Sequence, residues 1–127
     1  MSRTEAQDAA PLMLSGTDAA ARELAAKFFR ALGDPTRLRL LEFCSPAERT
    51  GSDCVRHAGL SQGRVSAHLA CLVSCGLLTV RREGRFAYYR VTDSRVGVLL
   101  GSGQDMVADY ASSIAACTRV GATVSGP

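Results

Sequence analysis

The sequence predicts a mainly α-helical domain carrying one small β-hairpin, and three observations predict it. Apolar residues recur at helical spacing through Leu24, Phe28 and Leu32, then Val65, Leu69 and Leu72, then Met106, Tyr110 and Ile114. Between the second and third stripes, from Leu77 to Val91, the period falls to two. The 127 residues give room for one small domain, and a 46% hydrophobic content suits a globular fold.

The elements follow in chain order. Residues 1–17 have no period and read as a flexible arm. Asp18 caps a first helix along the Leu24, Phe28 and Leu32 stripe, and Gly33 ends it. Asp34-Pro35 restarts the chain as a cap followed by proline at the first helical position. Leu38, Leu40, Leu41 and Cys44 supply the buried side of this second helix, which Ser45-Pro46 closes. A polar loop, Ala47 to Ser52, is expected next, and then a short third helix, Cys54 to Ala58, capped by Asp53 and ended at Gly59. Ser61 caps a fourth helix running to about Ser74, with Val65, Leu69 and Leu72 inward and Gly76 as its stop.

Leu77 to Val80 and Phe86 to Val91 read as two strands, with Glu83-Gly84 as their turn. From Ser94 to about Thr118 the pattern is helical again. Gly97, Gly101 and Gly103 weaken its first half, by roughly 1 kcal/mol each against alanine. Its stripe of Met106, Tyr110, Ile114 and Cys117 gains from a partner chain, so the domain, residues 18–118, is expected to dimerise through its terminal helices. Residues 119–127 read as a flexible tail.

Two short helices joined by a tight glycine-containing turn form a helix-turn-helix, and the hairpin behind them is a wing. In that arrangement the second helix enters the major groove, with its first turns against base edges. Those residues are Ser61, Gln62, Gly63 and Arg64, followed by Ser66, Ala67 and His68. Glutamine can pair with adenine, and arginine with guanine or phosphate. The wing offers Arg81, Arg82 and Arg85 to the DNA backbone or minor groove. Between Ser61 and Thr92, five arginines against one glutamate leave four positive charges, whereas the whole chain carries +3. A local basic surface on an otherwise balanced chain suits double-stranded DNA.

Other classes fit less well. No run approaches the roughly 18 apolar residues of a spanning helix. The N-terminus lacks the pattern of a signal peptide, so a cytoplasmic location is expected. The two histidines, His57 and His68, both fall in the DNA-binding half, and no phosphate loop or paired-carboxylate motif accompanies them, so an enzyme is not expected. A DNA-free interaction module on the same fold is the remaining contrast, and salt-dependent DNA binding separates the two. The odd cysteine count, five, disfavours a disulfide framework against buried thiols or metal ligation.

Three segments resemble the ArsR/SmtB family of metal-sensing repressors. ALGDPTRLRLLEFC (Ala31 to Cys44) is similar to that family's second helix. LSQGRVSAHLACLVSCGLL (Leu60 to Leu78) is similar to its recognition helix, and REGRFAYYRV (Arg82 to Val91) to its wing. The resemblance implies a homodimer that sits on an operator near its own gene and leaves when an effector binds. One effector site of the family uses paired cysteines in the helix before the turn, where Ser52-Asp53-Cys54-Val55 offers one. Another uses Asp and His pairs in the last helix, where Asp93 and Asp105 stand without any histidine after His68.

The CmtR-type cadmium/lead sensors are the better match, with a CLxxCGL run and a further cysteine in the C-terminal helix. Here Cys71-Leu72-Val73-Ser74-Cys75-Gly76-Leu77 matches the run, and Cys117 lies at a similar distance downstream. Cysteines at i and i+4 share a helical face, about 6 Å apart between Cβ atoms. Two such thiolates and a third, from the same or the other subunit, make a trigonal site for a soft ion: cadmium or lead first, mercury or arsenite next. Cys44 and Cys54 fall on inward faces and read as small buried hydrophobes. The alternative input is redox, with Cys71 and Cys75 forming a disulfide. A helix C-terminus is the wrong pole for stabilising a thiolate, which weighs against it.

Overall fold

The computed structural model describes residues 18–121, so the expected arm and residues 122–127 of the tail lie outside the described residues. Its elements in order are α1 (Asp18–Leu32), α2 (Pro35–Cys44), β1 (Arg49–Thr50), α3 (Gly51–Ala58), α4 (Gln62–Ser74), β2 (Leu78–Glu83), β3 (Phe86–Val91) and α5 (Arg95–Ala116). The predicted winged helix-turn-helix is present: α3 and α4 are the helix pair, and β2 and β3 the wing.

Local chemistry sets most boundaries. The Asp34 carboxylate accepts from the Arg37 backbone N–H at 3.0 Å and starts α2, with Pro35 at its first position. At the end of α4, Gly76 takes a φ of +82°. Its N–H donates to the Val73 carbonyl at 3.0 Å, and the Leu77 N–H reaches back to Leu72 at 2.9 Å. These two bonds are the Schellman arrangement, which satisfies the last carbonyls of the helix.

Three expectations are corrected. The segment Ala47 to Ser52 is not all loop, because Arg49 and Thr50 pair with Tyr89 and Tyr88 and make the wing a three-stranded antiparallel sheet in the order β1-β3-β2. The third helix starts at Gly51 and its cap is Thr50, not Asp53. Thr50 Oγ1 accepts from the Asp53 N–H at 3.0 Å, and the Asp53 carboxylate accepts from the Thr50 N–H at 3.1 Å, a capping box that places Asp53 in the first turn. The first strand extends to Glu83 and the turn shifts one residue, to Gly84-Arg85, with Gly84 at a φ of +61°. Glycine supplies that positive φ without steric cost.

The core joins Leu40, Leu41 and Cys44 of α2, Cys54 of α3, Val65, Leu69 and Leu72 of α4, and Leu77 and Leu78 at the base of the wing. The inward faces predicted for α2 and α4 are therefore present, with Leu38 only half-buried. α5 behaves differently. Val96 is its one buried residue, the side chains from 102 to 116 are all exposed, and the helix is broken at Tyr110 by a φ of −120° and ψ of 22°. The predicted stripe is thus bare on one chain: Met106 is 62% exposed, Tyr110 59% and Ile114 48%. At the other terminus Leu24 of α1 is exposed too, while Leu32 is buried.

Candidate functional site

Burial of one face of α4 dictates what the other face offers. Val65, Leu69 and Leu72 hold the helix against the core, so Ser61, Gln62, Gly63, Arg64 and Ser66 all stand in solvent. Ser61 Oγ accepts from the Arg64 N–H at 3.2 Å and fixes the start of the helix. An open hollow of about 390 Å³ separates this edge from the wing, and Gln62, Ser66, Arg56, Arg85 and Phe86 are among its lining residues. The recognition helix and the wing tip therefore present polar and basic groups to one concave face. Arg82 is exposed on the same hairpin.

Two residues of the expected DNA-facing set have internal partners. His68 lies one position before buried Leu69, on the flank of the inward stripe, and is half-buried. Its Nδ1 is 3.2 Å from Arg37 Nη1 and 3.9 Å from the Asp34 carboxylate. Arg37 also donates through Nε to the Ala31 carbonyl at 2.6 Å and through Nη2 to the Arg30 carbonyl at 3.1 Å. This one guanidinium thus ties the end of α1 to the recognition helix. On the wing, Arg81 pairs with Glu48 and Glu83, and its guanidinium lies 4.5 Å from the centre of the Tyr88 ring. Its hydrogen bonds also hold the Glu48 carboxyl below its ordinary pKa. Of the three wing arginines expected to face DNA, Arg82 and Arg85 lack an ion-pair partner among the described residues.

Cys71 and Cys75 occupy the last turn of α4, the first half-buried and the second exposed. Cys75 is the C-cap, and its N–H donates to the Cys71 carbonyl at 3.0 Å. The Schellman arrangement that follows anchors this turn through buried Leu72 and Leu77. Cys117 is the half-buried C-cap of α5. Among the described residues no three Cys, His, Asp or Glu side chains of one chain are gathered to hold a metal ion. Cys71, Cys75 and Cys117 of a single chain therefore do not close into one site.

The structure brings a different pair together. Cys44, at the end of α2, and Cys54, in α3, are both fully buried with their Sγ atoms 3.9 Å apart. Their shared hydrogen bond and burial push the Cys44 thiol up, while the same bond draws Cys54 down, helped by the positive charge of Arg49. The sequence placed each on an inward face, but no periodicity relates one to the other.

Comparison with known proteins bears on the whole domain. Residues 34–80 match the bacterial regulatory protein family arsR, which spans α2, the helix pair and the start of the wing. A probable mercury resistance operon repressor of Streptomyces lividans is 52% identical over 95 residues, covering 75% of this chain and 76% of that protein. The transcriptional regulator CmtR of Mycobacterium tuberculosis is 40% identical over 76 residues, covering 60% and 64%. Among solved structures, NolR of Sinorhizobium fredii superposes with a TM-score of 0.67 at 30% identity, over 73% of this chain and 93% of that one. A homodimeric winged helix-turn-helix DNA-binding domain from Mycobacterium bovis gives 0.66 at 33%, over 76% and 89%. These relatives are regulators of transcription, not enzymes, and among the described residues no helix is long and apolar enough to cross a membrane. Helix pair, wing and basic concave face are thus those of a DNA-binding transcriptional regulator, and the chain belongs to the arsR family.

Proposed function

We propose that the protein is a homodimeric repressor that releases its operator when a soft heavy-metal ion binds its thiols. The observation that carries this reading is the position of Cys71 and Cys75, one turn apart at the anchored end of the helix that faces DNA. Ser61, Gln62, Gly63, Arg64 and Ser66 read bases, and Arg82 and Arg85 hold phosphates. The exposed apolar stripe of α5 packs on its counterpart in a second copy, as the homodimeric relative supports.

Cys71 and Cys75 fit a thiophilic ion by donor chemistry. Because Cys117 of the same chain is not gathered with them, Cys117 of the partner subunit is the third thiol of the site. Such a bond ties the reading helix to the dimer interface. Two half-sites are read only when the recognition helices stand about 34 Å apart, so a small rotation of each breaks the match. A coupling on the order of 1–3 kcal/mol has the ordinary allosteric size. The name of the Streptomyces lividans relative favours mercuric ion, and CmtR-like spacing keeps cadmium and lead next, with arsenite after them.

The test is operator binding by gel shift with mercuric, cadmium, lead and arsenite salts in turn, on the wild type and on Cys71→Ser and Cys75→Ser. Release of the wild type by at least one of them, with retention of both variants, is the expected result. A wild type that stays bound under every saturating metal, or that peroxide alone releases, overturns the reading.

A further inference from the structure

We infer that Cys44 and Cys54 form a second soft-metal site, a buried two-thiolate clasp selective for mercuric ion. Their sulfurs stand 3.9 Å apart with no exposed surface on either residue. On the scale of a thiolate–zinc bond, roughly 2.3 Å, two sulfurs on opposite sides of an ion are about 4.6 Å apart. The pair therefore needs to open by only about 0.7 Å to hold an ion in line. Closing to a disulfide needs a movement of roughly 1.9 Å in the other direction and an external oxidant.

Charge and coordination number select the ion. A divalent cation with two thiolates is neutral overall, and a neutral group is the one a dry core accepts at least cost. No carboxylate or imidazole joins the pair among the described residues, so zinc, which takes four ligands, finds an incomplete shell. Mercuric ion is satisfied by two thiolates in a line. Binding is an exchange in which each thiol gives its proton to water as its S–metal bond forms, so two protons leave for one ion and nothing is oxidised. The route in is short, because Cys44 ends α2 and residues 45–48 after it are exposed. The clasp joins α2 to α3, the first helix of the DNA-binding pair.

The test uses the full chain with Cys71→Ser, Cys75→Ser and Cys117→Ser together, which leaves Cys44 and Cys54 as its thiols and changes no core residue. One mercuric ion per protomer should survive desalting through a small monothiol, cadmium should not, and the unfolding midpoint should rise, as binding to the folded state requires. Adding Cys44→Ala should abolish retention, with circular dichroism as the check on folding. If that variant does not fold, alkylation of the three-serine protein gives the same answer, since one equivalent of mercury should slow labelling of both thiols about tenfold. Retention of no mercury, equal retention of cadmium, or a midpoint that falls on loading overturns the clasp. Because the readout is stoichiometry without DNA, it stands or falls apart from operator release.

Discussion

Arg81 and Glu48 are joined across the wing, Nη2 donating to Oε1 at 3.0 Å and Nε to Oε2 at 3.3 Å. Arg81 sits on β2 opposite Tyr88 of β3, which in turn pairs with Thr50 of β1. The ion pair therefore straddles the central strand. Arg81 is exposed but engaged by two carboxylates, while Arg82 and Arg85 are exposed without an ion-pair partner among the described residues. Arg82→Ala and Arg85→Ala should each lower the slope of log affinity against log salt by about one. Arg81→Ala should leave that slope near the wild-type value and instead speed amide exchange in the wing. Fluorescence titration of operator DNA across a salt series separates the two behaviours.

The exposed first turn of α4 makes its own prediction. Gln62→Ala or Arg64→Ala should cost about 1–3 kcal/mol on the preferred operator and relax preference at one base pair per half-site. Binding to a set of singly substituted operators measures both effects. An equal loss on every sequence would assign the residue to phosphate.

His68 should act on stability before it acts on DNA. With its ring against Arg37, His68→Ala should cost about 1 kcal/mol in urea unfolding and leave the salt slope of operator binding unchanged. A reduced slope would return His68 to the interface.

The capping box of α3 predicts an acid sensitivity. The Asp53 carboxyl is held below its ordinary value by the Thr50 backbone N–H, then by the Thr50 side chain, with Arg56 and Arg49 adding smaller effects. Asp93 is held at about 2, chiefly by the Arg95 side chain. A carboxylate depressed in the folded state adds stability above its unfolded pKa, about 3.9, and loses it as pH falls through the folded value. Unfolding followed from pH 7 downward should therefore show stability lost between about pH 5 and 2. Asp53→Asn should flatten that loss. Thr50→Ala should cost about 1 kcal/mol at neutral pH.

The bare stripe of α5 predicts the oligomeric state. Ile114→Asp or Met106→Asp should shift sedimentation from dimer to monomer and weaken operator binding, because each head then binds alone. A folded variant that stays dimeric would move the interface elsewhere.

Most of the helical frame is legible in the sequence because each helix carries its own period and stop, as Asp34-Pro35 and Gly76 do. β1 is not, since two residues show no period and their pairing depends on Tyr88 and Tyr89, far along the chain. The same division runs through the site. The outward residues of α4 follow from the inward ones. Glu48, which engages Arg81 along with nearby Glu83, and Arg37, which engages His68, stand 33 and 31 positions away, beyond any local pattern. The contact of Cys44 with Cys54 spans 10 positions across a turn of the chain that only the fold closes.

Thr50 ends β1 and caps α3, so not a single residue separates the wing's sheet from the helix pair. A hinge needs slack, and this junction has none. Sheet and α3 therefore move together, so a rotation that reaches α3 is passed directly to β1 and to the strand paired with it. Lengthening the chain between Thr50 and Gly51 would uncouple strand from helix, whereas the exposed residues 45–48 just upstream can absorb an insertion without disturbing either.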